Sequence, residues 1–157
     1  MAKFIDISLI GDAKLQADLK ALPIAIQRKL VRHGLRIAGN IHLKAAKQAA
    51  LGYTKGGEGR LDEPQMPKLA KLLKLRSLPR SRRGFGVKIV TPTREELGIP
   101  PTRKGYWPAH AELGSRRNPA LPFMRWPFDA NEPAMTKAIA DDVNGSIAAF
   151  NAGRVAA

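Results

Sequence analysis

The chain contains no cysteine in its 157 residues. That excludes disulfides and thiolate metal sites, and it fits a reducing compartment. Acid is scarce: 13 Asp and Glu stand against 27 Lys and Arg, giving a formal charge of +14 and a pI near 10.7. A field of that sign recruits polyanions and speeds their association, but it says little about fold. Nucleic acid is the first partner it points to, with an acidic protein or a membrane surface as the other candidates. No apolar run reaches the length of about 18 residues that a spanning helix needs. The opening MAKFIDISLIGDAKLQ sets Asp6 and Asp12 where a signal peptide requires an uncharged stretch, so secretion is not expected. Aromatics are few, and they are unevenly spread. Tyr106, Trp107, Phe123, Trp126 and Phe128 crowd into residues 106–128, leaving four for the rest of the chain.

What is present suffices for one domain over residues 1–157. A chain of this length buries roughly 70% of the surface its unfolded form exposes, and an apolar share of 44% is ordinary for a globular protein. Residues 4–10 alternate and predict a short strand. Asp12 then caps a helix through Leu15 and Leu19 to Leu22, and Pro23 ends it while opening the next helix. From Ile24 to about Leu51 a long amphipathic helix is expected. Its apolar stripe runs through Leu30, Gly34, Ile37, Ile41, Ala45 and Gln48, with Val31 and Ala38 beside it. Residues 52–67 lack periodicity and predict a long mobile loop. Residues 68–88 are a basic insertion without acid, holding a short helix with Leu69, Leu72, Leu73 and Leu75 inward, then a corner, then a strand over 85–91. Arg94-Glu95-Glu96-Leu97 predicts one helical turn closed by Gly98. Residues 107–113 read as an edge strand because of Pro108, and Gly114 supplies a positive φ at its end. A C-terminal helix opens at Pro122 or Phe123. Pro133 predicts a break near Asn131, after which Thr136, Ile139, Val143 and Ile147 form the apolar side. Residues 151–157 are expected to fray. The expected class is α+β: a long N-terminal amphipathic helix and a C-terminal helix packed on a small, mainly antiparallel sheet, with long loops.

Catalytic chemistry is poorly provided for. His33 and His42 lie too far apart on one helix to chelate jointly. His110 and Glu112 make at most half of a zinc site. Glu95-Glu96 and Asp141-Asp142 are adjacent pairs, and adjacent helical residues do not face one another. The glycines at 56, 57 and 59 lack the Lys-Ser/Thr of a P-loop, and no nucleophile elbow is visible. Neither an enzyme nor a cofactor is expected.

Polyanion contact is better supported. The polar face of the long helix carries Lys29, Arg32, Arg36, Lys44 and Lys47 with no acid between Leu22 and Leu51, and Arg80, Arg82 and Arg83 extend the charge into the insertion. Like charges four apart weaken a helix by a few tenths of a kcal/mol per pair. An anionic surface opposite would offset that cost, whereas a merely solvated face would not. These eight residues are the expected DNA-facing set, with salt-dependent, sequence-independent affinity. No zinc finger or RNA-recognition signature is present to read bases.

Residues 106–128, YWPAHAELGSRRNPALPFMRWPF, also carry a resemblance. Tyr106, Ala109, Glu112, Gly114, Ser115, Pro119, Pro122, Phe123, Met124 and Arg125, followed by a helix, resemble the tail-component proteins (head–tail joining, neck or tail-completion) of lambda-like long-tailed phages. The resemblance covers about a fifth of the chain. It implies a virion structural protein at the head–tail junction, present in the host cytoplasm during assembly. It further implies a ring, hexameric or dodecameric, around the DNA channel, with head-side connector and tail terminator or tail-tube proteins as neighbours. On that basis Tyr106, Trp107, Glu112, Gly114, Phe123, Arg125 and Trp126 are the expected subunit or partner contacts. From the residues alone, Glu112 is either an exposed strand residue or a partner of Arg116, Arg117 or Arg125. A tail-terminator ring and a free-standing basic nucleic-acid-binding protein are the competing readings.

Overall fold

The computed structural model describes residues 13–52, 65–78, 86–98, 107–114, 116 and 120–153. The chain runs α1 (Ala13–Ala21), α2 (Ile24–Gly52), α3 (Gln65–Leu72), β1 (Lys74–Ser77), β2 (Val87–Val90), α4 (Arg94–Leu97), α5 (Trp107–Leu113) and α6 (Arg125–Asn151). The class is α+β, as expected, with a two-stranded antiparallel sheet.

Two long helices form the frame. α2 and α6 pack antiparallel: His33 meets Asp142, Gly34 meets Ile139 and His42 meets Phe128, so numbers rise along one helix as they fall along the other. Small residues on α2 make the approach close. A Cβ on Gly34 would lie 3.3 Å from Ile139 Cγ2. Against Gly34 and Ala38, α6 sets Met135, Ile139, Val143 and Ile147, all buried. Ile139, Val143 and Ile147 were expected there. Thr136 is exposed, and Met135 takes its place in the stripe. On α2, Leu30, Val31, Ile37, Ile41 and Ala45 are half-buried, while Gln48 is exposed and Ala46 and Ala50 are buried instead. The four-residue step wins over the expected mixed one.

A second apolar cluster covers the C-terminal half of α2. Ala46 and Ala50 pack with Met66, Leu69, Ala70 and Leu73, with Leu97, Ala111 and Phe123 closing it. Burying side chains such as Leu69, Leu73 and Phe123 contributes about 1.5–3 kcal/mol each. The sheet rests here through Ile89, while Leu75 lies over Gly39 of α2. Its register pairs Lys74 with Val90, Leu75 with Ile89, Arg76 with Lys88 and Ser77 with Val87.

Several sequence expectations need correction. α3 starts at Gln65, inside the expected loop, and stops at Leu72, so Leu75 belongs to β1 rather than to a helix. The second strand spans Val87–Val90 only. Pro23 precedes α2 rather than opening it, its carbonyl accepting the Gln27 N–H at 3.0 Å. Residues 107–113 form a helix, not a strand. Pro108 is the second residue of α5, where the missing N–H has no partner to lose, and Ala109, Ala111, Glu112 and Leu113 favour helix. Gly114 has φ +75° as expected, but it ends a helix. α6 begins at Arg125 and runs unbroken through Pro133. Pro133 has no N–H to offer the Asp129 carbonyl, both residues are exposed, and the opposite side of α6 is held by α2. Asn131 caps nothing; its side-chain amide donates to the Pro127 carbonyl at 2.7 Å. Asn151 is the last residue of α6, and Ala152 and Gly153 still donate to Ala148 and Phe150. The predicted turn at Arg94–Leu97 forms as expected, with Thr93 and Glu96 making a capping box and Gly98 at φ 72°. The strand expected over 4–10, Asp12 and most of the 52–67 loop lie outside the described residues.

Candidate nucleic-acid interface and subunit contact

At 100° per residue, Lys29, Arg32, Arg36, Lys44 and Lys47 fall within about 120° of arc on α2, opposite the Gly34–Ala38 line that meets α6. Lys29, Arg32, Arg36 and Lys44 are exposed and Lys47 is half-exposed. The structure therefore brings the five helical members of the expected DNA-facing set onto one surface. Arg80, Arg82 and Arg83 lie outside the described residues. The basic run 68–88, which with the helix face was expected to meet phosphates, contributes a second basic surface whose members spacing did not bring together. Lys74, Arg76 and Lys88 share the outward face of the sheet, and all three are exposed. The period-2 alternation of β1 was hidden by the preceding leucine run.

The corner between α5 and α6 is built around Glu112, which is 9% exposed. Its Oε2 accepts the Met124 N–H at 2.9 Å, and its Oε1 accepts the Arg125 N–H at 2.9 Å and Arg125 Nε at 3.2 Å. Arg125 Nη2 donates to the Glu112 carbonyl at 3.1 Å. Met124, the residue before α6, makes no side-chain cap of its own. Glu112 thus supplies from α5 the negative charge and acceptors that the start of α6 needs. Of the three arginines expected near Glu112, Arg125 pairs with it, and Arg117 lies outside the described residues. The Leu121 N–H donates to the Ala111 carbonyl at 2.7 Å and closes the corner. A Cβ on Gly114 would lie 2.9 Å from the Ala120 backbone nitrogen, so the turn also excludes side chains there.

This clamp sets two large apolar residues in water. Leu113 follows Glu112, Trp126 follows Arg125, and each is 65% exposed. Arg116 is exposed nearby in sequence. Phe123, also expected at a contact, is fully buried and serves the core instead. Tyr106 lies outside the described residues, and Trp107 is the first residue of α5. With residues 107–113 helical, His110 and Glu112 no longer share a face. Among the described residues no three of His, Cys, Asp and Glu gather as a metal site requires.

His42 is the titratable group that sequence reading set aside. Its ring meets Phe128 edge-on, centroids 5.2 Å apart and planes at 87°. Nδ1 is buried with no hydrogen-bond partner among the described residues. Burial pushes the His42 pKa below the ordinary histidine value, and the negative charge of Glu112 pulls it partly back. Among the described residues no helix is long and apolar enough to cross a membrane. No family profile, curated protein or solved structure matches this chain.

Proposed function

We propose that this chain is a structural protein of the head–tail junction of a long-tailed phage, assembling as a ring through which DNA passes. Its work is mechanical: the α5–α6 corner makes the contact between subunits or with a neighbouring head or tail protein, and the basic face of α2 lines the DNA path. The observation that carries this reading is the Glu112 clamp. It binds together residues of the very segment that resembles the tail-component proteins, and it holds Trp126 and Leu113 out in water. A monomer gains nothing from a 65% exposed tryptophan, whereas an assembly contact does. The acid-free stripe Lys29, Arg32, Arg36, Lys44, Lys47 adds a surface suited to sliding phosphate. No step of covalent chemistry is assigned to the protein.

The test is electron microscopy of particles made without this gene product. Filled heads and finished tails that accumulate unattached, and join when purified protein is added, support the proposal. Normal tailed particles overturn it. The exposed basic face also suits a free-standing nucleic-acid-binding protein, and tight duplex binding by a chain absent from purified particles would favour that reading.

A further inference from the structure

The β1–β2 sheet carries a charge arrangement that its own folding does not call for. Arg76 lies directly opposite Lys88, with Lys74 on the same outward face, and neither strand contains an acid. Like charges facing each other across an antiparallel pair destabilise it. The apolar side already seats the sheet: a Cβ on Gly39 of α2 would lie 2.8 Å from Leu75 Cδ1 and 3.1 Å from Val87 Cγ2. Glu96 of α4 lies within electrostatic reach of Lys74 and Arg76, but it is engaged by the Thr93 N–H at 2.7 Å.

The sheet therefore sits over Gly39. Arg36 is about one turn earlier on α2 and rotated by about 60° towards solvent, and Arg32 is two turns earlier on the same line. About 60° of helix surface thus separates Arg36 from the residue that the sheet covers. We infer that Lys74, Arg76 and Lys88 join the α2 stripe in one surface for the phosphate backbone of duplex DNA, a contact that rests on the proposal that α2 faces the DNA path. Phosphates between Arg76 and Lys88 relieve their repulsion. From Lys29 to Lys47 the helix rises about 27 Å, the length of about 8 base pairs. Single strands are favoured less: they are held by stacking on aromatic rings, and the aromatics of the described residues lie on α5, at the start of α6 and near its end, none on α2 or the sheet.

The test is duplex binding by fluorescence anisotropy, from about 50 to about 200 mM salt, where each phosphate contact contributes about 0.9 to the slope of log K against log salt. Four proteins are compared: the wild type, a sheet variant (Lys74→Gln, Arg76→Gln, Lys88→Gln), the single sheet variant Arg76→Gln, and an α2 variant (Lys29→Gln, Arg36→Gln, Lys44→Gln, Lys47→Gln). The sheet variant is expected to lower the slope by up to about 2.7 while melting at the same or a higher temperature. Arg76→Gln alone, which needs no wider refolding, lowers it by about 0.9. An unchanged slope in both sheet variants, with binding lost in the α2 variant, overturns the inference and leaves the α2 contact standing. Loss in neither set, or no wild-type binding, overturns both. Loss of binding to anionic phospholipid vesicles with duplex binding intact overturns the inference in favour of a membrane surface.

Discussion

Glu112 and Arg125 are joined through the Arg125 backbone N–H at 2.9 Å, its Nε at 3.2 Å and its Nη2 at 3.1 Å, so one pair fixes both the start of α6 and the end of α5. The two partners do not contribute equally. The Glu112 side chain is 12% exposed and that of Arg125 is 57% exposed. Removing the carboxylate strands two backbone N–H groups, whereas removing the guanidinium leaves them bonded. Glu112→Ala should cost about 2–3 kcal/mol in urea unfolding. Arg125→Ala should cost under about 1 kcal/mol, and Glu112→Gln should fall between. Equal, small losses at both positions would mean that Glu112 does not cap α6.

His42 links stability to pH. Burial favours its neutral form, so the folded pKa lies below the unfolded value of about 6.5. Between those values the unfolded chain binds more protons, and stability therefore rises with pH. The contribution is complete above about pH 6.5 and is lost as pH falls towards the folded pKa. The melting temperature of the wild type should drop on acidification relative to His42→Leu, with the difference constant above neutrality. In Glu112→Gln the charge that favours His42 protonation is gone, and the sensitive window should extend to lower pH. A wild type and a His42→Leu variant with parallel profiles throughout would contradict the buried neutral ring.

Pro133 sits in the ninth position of an unbroken helix, exposed, with Asp129 exposed one turn earlier. Pro133→Ala restores one backbone hydrogen bond and removes the ring from the turn. It should stabilise the protein by about 1–3 kcal/mol in thermal or urea unfolding. Destabilisation would place a helix end at Asn131 after all.

Periodicity made the frame legible where burial is one-sided. α2 presents acid-free basic residues on one face and small or aliphatic ones on the other, so its length and its basic stripe follow from spacing alone. The turn at Arg94–Leu97 was legible for a local reason, since its capping box and Gly98 lie within six residues. α5 was not. Trp107, Ala109, Ala111 and Leu113 alternate as a strand would, and that alternation masked the local helix preference, which burial of Ala111 in one cluster with Phe123 reinforces from outside any local window. Pro133 was misjudged because a proline that weakens a helix does not break it where packing, here α2 against the opposite side of α6, holds the turn. The Glu112 clamp required α5 and α6 to meet, and the outward face of the sheet required the Arg76–Lys88 register. Both are long-range facts.

Trp126 and Phe123 lie three residues apart, yet they face opposite demands. Phe123 is fully buried among Leu69, Leu73 and Ala111, whereas Trp126 is 65% exposed at the first turn of α6. Truncating Phe123 leaves a cavity, so Phe123→Ala should cost about 3–5 kcal/mol and yield unfolded or insoluble protein. Truncating Trp126 removes little buried area, so Trp126→Ala should cost under about 1 kcal/mol and leave a monomer with wild-type circular dichroism. If Trp126 anchors the contact, that well-folded variant should still fail in assembly. Heads filled with DNA and completed tails would lie separate in the lysate, and Trp126→Phe would restore part of the joining. A Trp126→Ala protein that is stable and gives tailed, infectious particles at normal titre removes the corner from the interface, leaving its exposed tryptophan without a role.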